Sequence, residues 1–173
     1  GQLKGRSECG AVVKANAYGL GVDRIAPVIY HAGCRNFFVA NVKEAIQLQS
    51  LIGADAKVFV LSGCNAGAEQ ECIRRNIIPV LVSLEMCRRW AEAAAGRATA
   101  MSVVKINTGM ARLGFDDAEF NALLDDEGLL KRANIGYLMS HFACADEHEH
   151  PLTAMQLDRF ESAIKRLRDK GLK

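Results

Sequence analysis

Short apolar runs rich in β-branched residues alternate with amphipathic stretches six times along this chain, and that rhythm restricts the fold more than any other feature. Runs suited to strands fall at 11–15, 36–40, 57–61, 77–82, 100–106 and 135–140. Several are apolar at nearly every position, as strands buried on both faces of a parallel sheet require. Helical periodicity occupies 22–32, 42–52, 66–75, 84–95, 117–124 and 152–170. Gly33, Gly53 and Gly96 stand where helix stops are expected, and Asp116 and Asp117 can cap a start. Such alternation leaves two architectures, an open doubly wound sheet or a barrel of eight β-α units.

A doubly wound dinucleotide-binding fold should carry G-x-G-x-x-G after its first strand. Here the first strand runs into residues 14–21, KANAYGLG, whose Gly-Leu-Gly is only a weak echo. The sequence therefore predicts an α/β fold of the (β/α)8 TIM-barrel type, with about six of the eight β-α units present. One domain is expected over 1–173, cut at both ends, because few residues precede the first strand and the chain ends in KGLK at 170–173, a helix end with no strand after it. No linker, low-complexity segment or repeat beyond the β-α rhythm interrupts it.

Charge and cysteine usage narrow the partners. Lys and Arg total 22 against 20 Asp and Glu, a net +2, so no dominant field attracts nucleic acid or an anionic membrane. The six cysteines show neither C-x-x-C nor a Cys/His spacing of the zinc-site kind, and read as reduced core thiols. His148 and His150, within EHEH at 147–150, have no evident third ligand and read as solvated, so no metal is expected. No run approaches the roughly 18 apolar residues of a membrane span, and nothing resembles a signal peptide. A cytoplasmic protein is the expectation.

Enzymes built on such barrels place their chemistry at the carboxyl ends of the strands. There the first strand offers Lys14 near the end of an apolar run, with Tyr18 four residues on. A lysine in such a position is rarely fully buried unless paired. Desolvation favours the neutral amine, which can attack an aldehyde. The other reading is a lysine whose stem packs on the strand while its head reaches water. Strand position alone leaves both open.

The surrounding residues say more. Residues 11–21, AVVKANAYGLG, closely resemble the cofactor-lysine motif of alanine racemases. Two further segments are similar to that family in the expected order: 105–115, KINTGMARLGF, and 139–146, MSHFACAD. FFVA at 37–40 and VFVL at 58–61 resemble its second and third strands, so the resemblance covers nearly the whole chain.

That resemblance implies pyridoxal 5'-phosphate as cofactor, alanine as small-molecule substrate, and interconversion of its L and D forms to supply D-alanine for peptidoglycan. Lys14 would hold the cofactor covalently and, once displaced, act as one of two bases that exchange the α-proton. Tyr18 would hydrogen-bond the cofactor phosphate. Arg112 would sit near the cofactor's phenolic oxygen and the substrate carboxylate, to which its planar fork is suited. Lys105 aligns with a lysine often carbamylated in the family, an anion that would hold Arg112; the alternative is an unmodified lysine paired to a carboxylate. His141 would join a hydrogen-bond network between the cofactor ring and the opposing base. Asn107 departs from the family, which more often has Asp there.

The resemblance also implies a homodimer in which the second base is a tyrosine from a carboxyl-terminal β-domain. No part of this chain matches that domain, strands seven and eight, or the phosphate-binding loops expected with them. The chain alone is therefore expected to be inactive. A non-catalytic pyridoxal-phosphate carrier, or another barrel enzyme such as a decarboxylase or broad-specificity racemase, are the competing readings.

Overall fold

Parallel pairing of each strand with its neighbour in sequence is the arrangement that successive β-α units reach without crossing connections, and it holds throughout. The computed structural model describes Gly5 and residues 7–147 and 149–172. They divide into two units, Gly1–Pro79 and Val80–Lys173.

The first unit runs β1 (Gly10–Val12), α1 (Lys14–Tyr18), α2 (Val22–His31), β2 (Asn36–Val39), α3 (Val42–Gln49), β3 (Lys57–Val60), α4 (Glu69–Arg74) and the start of β4 (Ile77–Leu81). Ala11 pairs with Phe37, Phe37 with Val58 and Phe59 with Ile78. Phe37, Val39, Val58, Phe59 and Val60 are buried, as are Ala26 of α2 and Ala45 and Leu48 of α3. Asn41 opens α3 by accepting the Glu44 N–H at 3.0 Å, one of the N-terminal donors a helix otherwise leaves unpaired.

In the second unit the last residues of β4 pair with β5 (Ser102–Lys105), Val80 opposite Val103, and Val104 lies opposite Leu138 of β6 (Ile135–Met139). Its helices are α5 (Leu84–Ala93), α6 (Asp117–Asp125), α7 (Glu127–Ala133) and α8 (Pro151–Asp169). Every residue of β4 and β5 is buried. Pro79 falls where pairing with β3 ends and pairing with β5 begins, so its missing N–H interrupts neither ladder. Ser83, Asp116 and Asp126 cap α5, α6 and α7.

The structure corrects the sequence reading at several points. The first strand stops at Val12, short of the expected 15, because the chain turns left-handed from Ala15. The stretch from 66 begins as a turn with Gly67 at φ +88°, and helix starts only at Glu69. Periodicity missed α7 altogether: it is one short helix directly after another, and Gly128 weakens its pattern. Gly53 is no helix stop, since α3 ends at Gln49; a Cβ there would fall 2.1 Å from the Tyr30 hydroxyl. Cys64, Cys72 and Cys87 are core residues, and burial pushes the Cys87 thiol up to about 12, but Cys9 is exposed and Cys34 and Cys144 are half-buried.

Tyr30 ties α2 to the connection before β3. Its hydroxyl donates to Asp55 at 2.5 Å, Arg35 Nε donates to the other carboxylate oxygen at 2.6 Å, and the guanidinium lies 4.2 Å from the tyrosine ring centre. The Tyr30 hydroxyl, followed by Arg35, holds the Asp55 carboxyl below the usual carboxylate range, while the same bond raises the Tyr30 phenol. A depressed carboxyl stabilises the fold above its unfolded pKa of about 3.9 and loses that contribution as pH falls through the folded value. Asp55→Asn should therefore lower the melting temperature at neutral pH, and its difference from the unaltered protein should shrink as pH falls through the folded value. Melting curves of both proteins across that range check the convergence.

Candidate active site

Lys14 is half-buried, two residues beyond β1, at the first position of α1. α1 is a left-handed turn: Ala15, Asn16, Ala17 and Tyr18 have φ of 52°, 55°, 54° and 55°. For residues with a Cβ this costs about 1–2 kcal/mol each. Such a run persists only where its surroundings over-determine it. The determinants are visible in the hydrogen bonds. Ala17 N–H donates back to Val13 C=O at 2.9 Å, and Asn16 C=O accepts from Gly19 and Gly21 at 3.1 and 3.0 Å. Asn16 Oδ1 takes the first N–H of α2, that of Val22, at 2.8 Å. Ala15 N–H donates to Glu44 Oε1 at 3.1 Å, and Ala40 N–H to Glu44 Oε2 at 2.8 Å.

The same turn places the two side chains it carries near each other. Lys14 Nζ lies 6.0 Å from the Tyr18 ring centre, and Tyr18 is 63% exposed, leaving its hydroxyl available to a ligand. An amine and a phenol presented from one rigid turn suit a ligand with a carbonyl to be captured and an anionic group to be hydrogen-bonded.

In the second unit, Lys105 is the last residue of β5 and only 6% exposed. The loop after it doubles back: Phe115 N–H donates to Lys105 C=O at 2.8 Å, and Asn107 N–H to Phe115 C=O at 2.9 Å. Gly114 is required at this crossing, because at its φ of +129° a Cβ would meet the backbone of Lys105, Ile106 and Asn107 at 2.9 Å. Asn107 Oδ1 organises the loop from within, accepting from Gly109 and Ala111 at 3.1 and 2.9 Å. Arg112 is exposed on this loop.

His141 is exposed, two residues past β6. Its backbone is held by a side chain that the sequence reading did not single out, Gln156 of α8, 1% exposed. Gln156 Nε2 donates to His141 C=O at 2.9 Å and to Thr108 Oγ1 at 3.0 Å, and Gln156 Oε1 accepts from Ala143 N–H at 2.8 Å. Thr108 and Ser140 hydroxyls stand 2.6 Å apart. One buried amide thus joins the loops that carry Arg112 and His141. A glutamine in a helical stretch carries no sign of this, so neither Gln156 nor Glu44 was identifiable as part of a site. Nor does the sequence around Glu44 say which distant amide it reaches.

His148 lies outside the described residues. His150 is not simply solvated: its Nδ1 accepts the Leu152 N–H at 3.1 Å and caps α8, with Pro151 next. Among the described residues no three His, Cys, Asp or Glu side chains gather as a metal site.

Parallel strands paired in sequence order and joined by helices are the arrangement of a (β/α) barrel domain. Residues 2–173 match the N-terminal domain of alanine racemase. The chain is 45% identical to alanine racemase of Rhodospirillum rubrum over 96% of its own length and 45% of the relative's. It is 43% identical to that of Brucella abortus over 91% of this chain and 40% of the relative. A crystal structure of alanine racemase from Bartonella henselae with covalently bound pyridoxal phosphate superposes with a TM-score of 0.90 at 35% identity, covering 95% of this chain and 48% of that one. The enzyme from Corynebacterium glutamicum gives 0.84 at 30%, over 99% and 48%. The chain belongs to the alanine racemase family, as part of its N-terminal (β/α)8-type barrel with six β-α units, and spans less than half the length of these relatives.

Gln156→Leu keeps the volume but strips partners from His141 C=O, Ala143 N–H and Thr108. Leaving a buried polar group unsatisfied costs about 1–3 kcal/mol, so denaturant unfolding should show a loss of at least that size. Gln156→Glu, which keeps the acceptor for Ala143 but turns an unpaired buried carboxylate toward His141 C=O, should lose at least as much.

Proposed function

We propose that this chain is the cofactor-lysine part of a pyridoxal-phosphate-dependent alanine racemase that interconverts L- and D-alanine. The observation that carries the reading is Lys14 on a strained left-handed turn, held by hydrogen bonds from Ala15, Ala17 and Val22 N–H, with Tyr18 beside it, inside the segment that resembles the family's cofactor-lysine motif. The donor set fits the cofactor: an amine for its aldehyde, and an exposed phenol for its phosphate. Pyridoxal phosphate, when bound, supplies an electron sink for the substrate's α-carbon.

The chain's own residues do the rest. Lys14 would hold the cofactor by its amine and, once displaced, accept or return the α-proton at Nζ on one face of the substrate. Tyr18 would donate its hydroxyl to the cofactor's phosphate. Arg112 offers its guanidinium to the substrate carboxylate. Lys105, buried at the strand end below that loop, is the carbamylation site, becoming an anion that orients Arg112. His141 contributes a polar partner to the cofactor's surroundings from a loop that Gln156 immobilises. The homodimer, the second base supplied by a partner domain, the supply of D-alanine to peptidoglycan and a cytoplasmic location complete the proposal. Among the described residues no helix is long and apolar enough to cross a membrane.

Reduction of the cofactor-loaded enzyme with borohydride, then peptide mapping, should put the label on Lys14; label on any other lysine would overturn the assignment. Lys14→Ala should lower kcat by about 10²–10⁴-fold or more, since a proton-transfer group is lost together with the covalent anchor.

Lys105→Ala should cost about 10–100-fold in kcat/KM, the usual effect of removing a group that orients another. Activity of the unaltered enzyme should fall when bicarbonate is removed and return when it is restored. Bicarbonate-independent activity with an unmodified Lys105 by mass spectrometry would end the carbamate assignment.

A further inference from the structure

The strands β1 and β2 part where Lys14 begins. Their ladder runs from Gly10 opposite Asn36 to Val12 opposite Phe38, with Val13 N–H donating to Phe38 C=O at 2.9 Å. One more step of a parallel ladder would join Ala40 N–H to Val13 C=O and Ala15 N–H to Ala40 C=O. Neither bond is made. Val13 C=O accepts instead from Ala17, inside the left-handed turn, and Ala40 C=O from Ser62 N–H at 3.1 Å and Ser62 Oγ at 2.5 Å. Both carbonyls have left the ladder, and two N–H groups are stranded at its mouth. Glu44, third residue of α3, supplies one carboxylate oxygen to each.

We propose that Glu44 is the positioning residue for Lys14: its carboxylate replaces the missing ladder step, taking Ala15 N–H and Ala40 N–H, and thereby fixes the turn from which the amine is presented. The inference rests on reading Lys14 as the cofactor lysine. A carboxylate is the side group suited to the place, because it offers acceptors only, on two oxygens, and charge-assisted bonds to backbone N–H groups are roughly twice as strong as neutral ones. Asn41 fixes Glu44 in turn by accepting its N–H, so the chain of support runs from the α3 cap through Glu44 to the residue after Lys14. Glutamine at 44 keeps one acceptor and turns an NH2 group toward the second N–H, which breaks the bridge while keeping shape.

The test uses the holoenzyme and its Glu44→Gln variant. The variant should label at Lys14 with borohydride more slowly, expose the 13–21 peptide to faster hydrogen exchange, and lose about 10–100-fold in kcat with the alanine KM nearly unchanged. A variant with reduced melting temperature but unaltered labelling, exchange and kcat would overturn the proposal, because Glu44 would then serve stability alone. Residue-resolved exchange on the unaltered protein keeps the question decidable if the variant does not fold. Ala15 is solvent-exposed, so slow exchange of its amide together with that of Ala40 reports the Glu44 bonds, and free exchange at both overturns them. Were the unaltered enzyme to label at a lysine other than 14, the proposed function would fail while the exchange measurement still judged the Glu44 bridge.

Discussion

A parallel strand that must deliver a reactive side chain faces a backbone problem before a chemical one. At its carboxyl end the ladder stops, and each N–H and C=O that leaves it needs a new partner or costs free energy. In the first unit this need governs everything around Lys14. The left-handed run takes up Val13 C=O and Asn16 C=O, Ser62 takes up Ala40 C=O, and Glu44 takes both stranded amides. These bonds help offset the steric cost of the turn. A right-handed turn would avoid that cost, but it would carry the chain along another path and with it the amine.

The second unit solves the same problem with a neutral side chain. Where β5 and β6 end, Gln156 reaches in from α8 to satisfy Ala143 N–H and His141 C=O, and its contact with Thr108 continues to Ser140. An amide suits that position because both a donor and an acceptor are wanted. A carboxylate suits position 44 because two donors must be met. The choice between Glu and Gln follows from counting the backbone groups left over at each strand end.

The sequence made the architecture readable because its signals are local and periodic: apolar runs at 36–40 and 57–61 became β2 and β3, and Asp116 did cap α6 as its position suggested. The pairing of Lys14 with Tyr18 was readable through motif, since the two lie four residues apart and need no tertiary knowledge to be brought together. What stayed hidden shares a cause. Glu44 to Ala15 spans 29 positions and Gln156 to Thr108 spans 48, and nothing in a helix's composition says which distant amide its polar residue will meet. The left-handed turn was hidden for a different reason. Ala15 and Ala17 are good right-handed helix formers, and tertiary hydrogen bonds override that preference.

Asn107 shows how a departure from a family pattern can be judged on structure. Its single side-chain oxygen accepts both Gly109 and Ala111 N–H groups, which shape the loop up to Arg112. An aspartate would accept the same two bonds with one oxygen, so the substitution leaves the loop's geometry intact. It removes a negative charge from the stem of a loop that carries an exposed arginine and begins beside a buried lysine. The asparagine therefore keeps the loop's shape on hydrogen bonds alone.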